Sequence, residues 1–459
     1  MQSPRNSLEI SKEWLEDILS EHESRKHSGT KVEVTFFQVN PGTKPGENFS
    51  SELVKMEVEA QLSGDGHQPP SSTQYSLVAK FLGGNIFNKE FVKSMKGDLK
   101  EFLIYSDIIT ELNNFQFKLA KDKYRINIPG FIYGKSTDHE HVLVMENLAP
   151  AGFTIQDVRQ GLDLQHILVA VDQLARLHAV SYAYHRTHNF LEKFPTFQLN
   201  TNSYTVKRPI LTVVYEGVMK ILEPKKDNVF LEKMKMAKES ILNDYMSLCM
   251  NRNGQKFFCL CHCDFWSNNI MFKHRSSETD GEAPIEDIMI IDWEAVEWTT
   301  PVLDLQFFLQ SSSTLALRRN HLEEILRRYY SIFTNATAQM GATVADWSYK
   351  DLKEEWRRTA KMGFLSGLSV NSVALSKAVA TSKETNRIEP GFMTAVQAML
   401  SRFLLSIMTW PSVQSLLLHL VRKFYEPIIQ EITRDGNELL CTRFDELVTE
   451  ADDYGVFDV

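Results

Sequence analysis

Three oxygen-bearing side chains within residues 257–309 have the types and spacing needed to move a phosphoryl group. Asp264 follows the apolar run FFCLCHC, Asn269 stands five residues further on, and Asp292 ends a second apolar run, IMIID. Transfer of phosphate to a hydroxyl needs a carboxylate that orients the alcohol and takes its proton. It also needs hard oxygen ligands that hold Mg²⁺ against the phosphates of a nucleotide. The order His262-x-Asp264-x-x-x-x-Asn269, followed by a strand ending in Asp292, fits that division of labour. Asp264 is placed as the base, and Asn269 and Asp292 as ligands of an ion that takes few carboxylates. Each alone is better explained as a turn cap or a strand end. All in this order, between strand-like runs, favour the catalytic reading.

The elements that must position this segment lie upstream. YSLVAKFL (75–82) reads as a strand with Lys80 inside it. A lysine in an apolar run is costly unless its amine finds a partner, or its stem snorkels out from an edge strand. Residues 91–112 carry a helical pattern with Glu101, and Asp98 is the alternative partner if the helix register differs. A strand lysine paired with a helix glutamate is how kinases hold the α- and β-phosphates. Before it, KVEVTFFQV (31–39) and residues 53–62 alternate as strands around a loop rich in Gly and Pro. Strand, loop, strand lets backbone N–H groups cover phosphates, although the loop lacks a full GxGxxG and a plain hairpin turn explains it too. HVLVM (141–145) stops in Glu146-Asn147-Leu148. There the backbone N–H and C=O groups of Glu146 and Leu148 would meet an adenine edge, though an ordinary interdomain linker suits the same residues.

At 459 residues the chain is too long for one ordinary core, and two or three domain-sized units are expected. Its 43% apolar and 24% charged residues are those of a soluble globular protein. A net charge of −9 argues against nucleic acid as a general partner. No basic, apolar leader opens the sequence. The most apolar late segment, 398–421, is broken by Arg402, Pro411, Gln414 and His419 and reads as buried helix rather than a membrane span. Five cysteines, an odd number unevenly spread, point to reduced thiols and a cytoplasmic setting. No obligate protein partner is evident.

Cys259, Cys261 and Cys263 with His262 suggest zinc, but structural zinc sites need a second, distant pair. Alternate positions of an apolar strand share a face, so packing is the better account. From residue 154 onward helical patterns dominate: 164–182, 228–250, 314–333, 350–370 and 392–432. His178, within the first, reads as a satisfied core histidine. Residues 118–128 are basic and surface-like, and 189–226 irregular.

Five segments together resemble the choline-kinase-like family of small-molecule kinases that includes the ecdysteroid kinases. They are PGTKPGENFSS (41–51), the Lys80 strand, KEFLIY (100–105), LVMENLAPAGF (143–153) with LARLHA (174–179), and HCDFWSNNIMF through IIDWE to PVLDL (301–305). The resemblance implies an α+β, two-lobed, protein-kinase-like fold of the aminoglycoside phosphotransferase type. Residues 1–146 would be a small β-rich lobe and 147–459 a large, mostly helical lobe whose late helices bound the acceptor pocket. It implies Asp264 as base, Asn269 and Asp292 as Mg²⁺ ligands, and Lys80 with Glu101 as phosphate anchor. A phosphate-covering loop over 46–51 would include Gly46, Asn48, Ser50 and Ser51. The implied activity is transfer from ATP to a hydroxyl of a small molecule, an ecdysteroid or another lipophilic alcohol. Phe307, Phe308, Trp356 and Phe364 fall in the pocket region, although core packing is the better account of them. This sequence departs from the family twice: Cys263 replaces the glycine usual between His and Asp, crowding the turn, and Asn147 replaces the aspartate usual at the hinge. A kinase for a cationic acceptor, and an inactive nucleotide-binding pseudokinase, stay open as alternatives.

Overall fold

The computed structural model describes residues 3–42, 51–64, 71–82, 92–137, 140–198, 201–250, 255–275, 284–376 and 437–458, apart from positions 94 and 225, together with scattered positions between 415 and 430. Gly46, Asn48 and Ser50, and most of 398–421, lie outside these residues. The chain divides into two compact units. The first contains Met1–Thr110 and Ile128–Thr154; the second contains Glu111–Asn127, Ile155–Thr381 and Phe403–Val459.

The first unit is built on an antiparallel five-stranded sheet in the order β1-β2-β3-β5-β4. The strands are β1 (Lys31–Pro41), β2 (Ser51–Ser63), β3 (Ser71–Leu82), β4 (Phe131–Ser136) and β5 (His141–Glu146), and the short β6 (Phe153–Ile155) follows them in the chain. Helix α1 (Lys12–Lys26) is capped by Ser11, whose side chain accepts the N–H of Trp14. Its Trp14, Leu15, Ile18 and Leu19 recur at helical spacing and bury against Val54, Met56, Val58, Leu77, Ala79, Phe81, Val142 and Val144. Each such side chain contributes on the order of 1.5–3 kcal/mol of burial. Strand alternation then turns Lys80, between Ala79 and Phe81, to the opposite face. That face is covered by α2 (Gly97–Leu103), which runs through a π turn (Ile104–Ile108) into α3 (Ile109–Ala120). The helix thus begins later and ends later than the apolar pattern alone suggests. Lys96 is left-handed at φ 55, which sets the start, and buried Leu112, Gln116 and Ala120 carry the helical face into the basic stretch.

Helices dominate the second unit: α4 (Leu164–His188), α5 (Thr201–Leu222), α6 (Asn228–Met250), α7 (Pro301–Ser312), α8 (Leu315–Gln339), α9 (Tyr349–Arg358), α10 (Ala360–Ala374) and α11 (Glu438–Asp453). Part of the segment read as irregular is therefore helix α5, which accommodates Pro209. Its Val214, Tyr215, Val218 and Leu222 pack with α6, α10 and α11, and that tertiary burial outweighs the proline and the β-branched run. Two small β elements complete the unit: β7 (Cys259–Cys261) pairs antiparallel with β10 (Glu297–Thr299), and β8 (Ile270–His274) with β9 (Ile285–Ile290).

Candidate active site

In the first unit the lysine finds its partner. Lys80 Nζ lies 2.9 Å from Glu101 Oε1 and 2.8 Å from Oε2, with both residues buried. Asp98 is taken by Ser136 Oγ at 3.3 Å, so the register selects Glu101. Lys80 pairs with Leu143, and Leu143 with Gly134, so the three share the α2 face. A Cβ at Gly134 would meet Phe102 of α2 at 2.8 Å, and glycine is what lets the helix sit that close.

The expected phosphate loop joins β1 to β2. Of its named residues Ser51 is described and opens β2 opposite Leu82. At the loop's entrance Gly42 donates to Leu53 O at 2.8 Å, and a Cβ there would lie 2.8 Å from the same peptide.

The hinge is narrower than the sequence reading allows. Asn147 N donates to Ser76 O at 2.9 Å, so the peptide groups of Glu146 face β4, where its N–H donates to Gly130 O at 2.8 Å. The Leu148 carbonyl accepts from Ala151 and Phe153. Among the described residues this leaves the Glu146 carbonyl and the Leu148 N–H without a hydrogen bond. Asn147 is explained by the same network. Ser76 Oγ gives its proton to Glu57 at 2.6 Å and accepts Asn147 Nδ2 at 3.0 Å. An aspartate would oppose one acceptor with another.

In the second unit β7 delivers a tight turn. His262 N and Cys263 N donate to Asp304 Oδ2 and Oδ1 at 2.6 and 2.8 Å, and His178 Nε2 lies 3.1 Å from Oδ2. Tyr329 Oη meets His178 Nδ1 at 2.9 Å, so His178 is the satisfied core histidine its sequence context suggests. Cys263 has φ 61, the left-handed conformation that makes glycine usual here. The cysteine is accommodated, held by its own N–H, at a cost of roughly 1–2 kcal/mol.

The same turn reaches toward Asp292. His262 Nε2 lies 3.1 Å from Ile291 O, and Ile291 N donates to Asn269 O at 3.0 Å. Ile270 pairs with Ile290, so Asn269 and Asp292 flank that pair at the end of the β8–β9 ladder. Asn269 Nδ2 donates to Asp264 O and Oδ2 at 2.8 and 2.9 Å. Among the described residues no hydrogen bond occupies Asn269 Oδ1. Asp292, like Cys263, is left-handed, with φ 64, a strained backbone of the kind that clusters at functional sites.

Electrostatics single out Asp264. It is half-buried, and burial first, then the negative charge of Asp292, push its carboxyl well above the usual range. The Asn269 hydrogen bond and the charge of Lys207, on α5, work the other way. His262 is lowered by burial and stays neutral. Clustered oxygen donors with surplus negative charge, and an amide oxygen turned away from its own hydrogen bonds, fit a hard divalent cation.

Zinc does not fit the thiols. Cys259 and Cys261 Sγ lie 3.7 Å apart beside His178, but both nitrogens of that ring are engaged and burial raises both thiols. Phe308, Trp356 and Phe364 are core residues. Sequence reasoning gave no role to Asp304 or Lys207. An aspartate inside the apolar stretch PVLDLQFFL was the available signal for the first; nothing in the local sequence marked the second.

Residues 45–342 match the ecdysteroid kinase-like family. The chain belongs to that family, and so to the small-molecule kinases, with the kinase-like α+β fold its element order describes. Among solved structures it is similar to a mutant aminoglycoside 2'-phosphotransferase IIIa in complex with GDP, at 11% identity and TM-score 0.34, covering 93% of this chain and 99% of that one. It is also similar to an aminoglycoside phosphotransferase from Alicyclobacillus acidocaldarius, at 10% identity and TM-score 0.31, covering 80% and 90%. A third is aminoglycoside phosphotransferase APH(3'')-Id from Streptomyces rimosus in complex with ADP and streptomycin, at 14% identity and TM-score 0.31, covering 65% and 90%. No curated protein sequence matches the chain.

Proposed function

We propose that the protein is an ATP- and Mg²⁺-dependent kinase that transfers the γ-phosphoryl group to a hydroxyl of a lipophilic small molecule, an ecdysteroid or similar alcohol. The carrying observation is the Asp264–Asn269–Asp292 constellation, in which two carboxylates are held within electrostatic reach beside an open amide oxygen. Asp264 orients the acceptor hydroxyl and takes its proton, while Asn269 and the Asp304-held turn fix its direction. Bound Mg²⁺ would neutralise the nucleotide phosphates, held by Asn269 through Oδ1 and by Asp292. Lys80, steadied by Glu101, serves the α- and β-phosphates, the loop over Gly46, Asn48, Ser50 and Ser51 covers them, and the Glu146 carbonyl and Leu148 N–H read adenine. In this reading the first unit carries the nucleotide anchors and the second the base, the metal ligands and the acceptor pocket.

The test is phosphate transfer from ATP to a panel of ecdysteroids, sterols, choline and aminoglycosides, run beside Asp264→Asn. Transfer to a lipophilic alcohol that needs Mg²⁺ and collapses in the variant is the expected result. Transfer to choline or an aminoglycoside alone would move the assignment to a cationic acceptor. Equal ATP consumption by both proteins with every acceptor would remove Asp264 from the chemistry.

A further inference from the structure

The corner where α3 ends takes no part in the proposed chemistry, yet it is built with care. From Phe117 to Arg125 only Ala120 and Tyr124 are buried. Phe117 is 58% and Leu119 46% exposed, and both are interleaved with exposed Lys118, Lys121, Lys123 and Arg125. One acid, Asp122, stands among these bases and pairs with Arg125 at 3.6 Å. The corner is therefore cationic on a chain of net charge −9.

Its backbone is fixed from beneath. Gln116, fully buried, donates through Nε2 to Asp122 Oδ1 at 2.9 Å and accepts the Tyr124 N–H at 3.2 Å. One turn earlier Asn113 grips both peptide groups of Ile126 at 2.9 Å. Tyr124 Oη reaches Gln339 at 3.2 Å. Lys121 and Asp122 are consecutive left-handed residues, at φ 49 and 65, a conformation that non-glycine residues keep only when their surroundings enforce it. The result is a fixed corner in which Phe117 and Leu119 project from the two sides of the last turn of α3, with Lys118 between them.

We infer that this corner docks the protein on an anionic lipid bilayer, with the lysines and arginine among the headgroups and Phe117 and Leu119 at the acyl boundary. Charge complementarity and the apolar pair argue together for that occupant. A nucleic acid or acidic peptide would use the charges and leave Phe117 and Leu119 without a role. The attachment is peripheral, since among the described residues no helix is long and apolar enough to cross a membrane.

The experiment is co-sedimentation of the full chain with phosphatidylcholine vesicles, with and without phosphatidylserine, at low and high salt. Binding should require phosphatidylserine and fade as salt screens it. K118E/K121E/K123E should weaken it by more than about a hundred-fold, since each lysine near such a surface is worth about five-fold. F117S/L119S should keep a weaker, wholly salt-sensitive attachment. These residues are exposed, and unchanged melting temperatures would confirm that both variants fold. Equal binding to neutral vesicles, binding that neither variant reduces, or capture by heparin or RNA without vesicle binding would each overturn the inference.

Discussion

At Lys80 a buried cation meets a buried carboxylate; at Asp264 a carboxylate meets a carboxylate. Lys80 sits inside the 12-residue strand β3 and Asp264 in the turn after the 3-residue strand β7, and their electrostatics run in opposite directions. The Lys80–Glu101 pair is balanced within the protein at 2.8–2.9 Å, so folding itself sets the lysine in place. The Asp264–Asp292 arrangement raises the free energy of the folded chain unless a proton or a cation offsets it. Asp304 shows that the difference is not burial alone. It is more buried than Asp264, yet donors from His262, Cys263 and His178 surround it. An anchor is a carboxylate whose partners the fold supplies; under the proposed function Asp264 is one whose partner the substrate complex must bring.

Breaking the comparison at Asp264 should have the largest effect. Asp264→Asn should cost on the order of 10²–10⁴ in turnover while raising the stability of the metal-free protein. The sign follows from linkage. A carboxyl whose folded pKa lies above its unfolded value keeps a proton that the unfolded chain has released. Metal-free stability should therefore fall as pH rises from the ordinary carboxylate range to the raised value, and level off beyond it. Melting temperatures against pH, in EDTA and then with Mg²⁺ and ATP, should show that fall in the parent, its relief by the complex, and a smaller fall in the variant, where Glu355, pushed up to about 7 by burial, still contributes. Superimposable curves would sink the assignment.

Lys80→Met should destabilise by roughly 3–5 kcal/mol, because it strands Glu101 in a buried position. Removing Glu101 as well, in Lys80→Met/Glu101→Met, should recover most of that stability and none of the ATP affinity. Denaturant titration beside the KM for ATP separates the two. If the double variant stays as unstable as the single one, the lysine is structural for some other reason.

Two smaller changes sharpen the contrast at the turn and the hinge. Cys263→Gly should stabilise by about 1 kcal/mol by releasing the left-handed strain, with kcat unchanged if the Asp304 hydrogen bonds set the turn. A large rise in kcat would mean instead that the cysteine displaces Asp264. Asn147→Asp should cost about 1 kcal/mol by opposing Ser76 with a second acceptor. A neutral result in a thermal melt would contradict a Ser76 hydroxyl that donates to Glu57 and accepts from Asn147.

The alternation of 31–39, 53–62 and 75–82 made the sheet legible, because a half-buried strand must repeat every second residue. Lys80 was legible for the complementary reason, as a charge where an apolar residue belongs. Helix α5 was not, because Pro209 and its β-branched neighbours carry poor local propensity and only burial against other helices rescues them. The choice of Glu101 over Asp98 also escaped the sequence, since it depends on where the helix starts, and left-handed Lys96 sets that start.

By itself the sequence determined the kind of chemistry at stake, since the residue types at Asp264, Asn269 and Asp292 limit what oxygen atoms can bind and which protons can move. The tertiary structure decided which groups are spent and which stay available. It committed Asp304 to the turn, the Glu146 N–H to Gly130 and the Leu148 carbonyl to its own turn, and it left Asn269 Oδ1 open. Hydrogen-bond capacity is a property of the residue, but its allocation depends on neighbours that are distant in the chain, and only folding brings them within 3 Å.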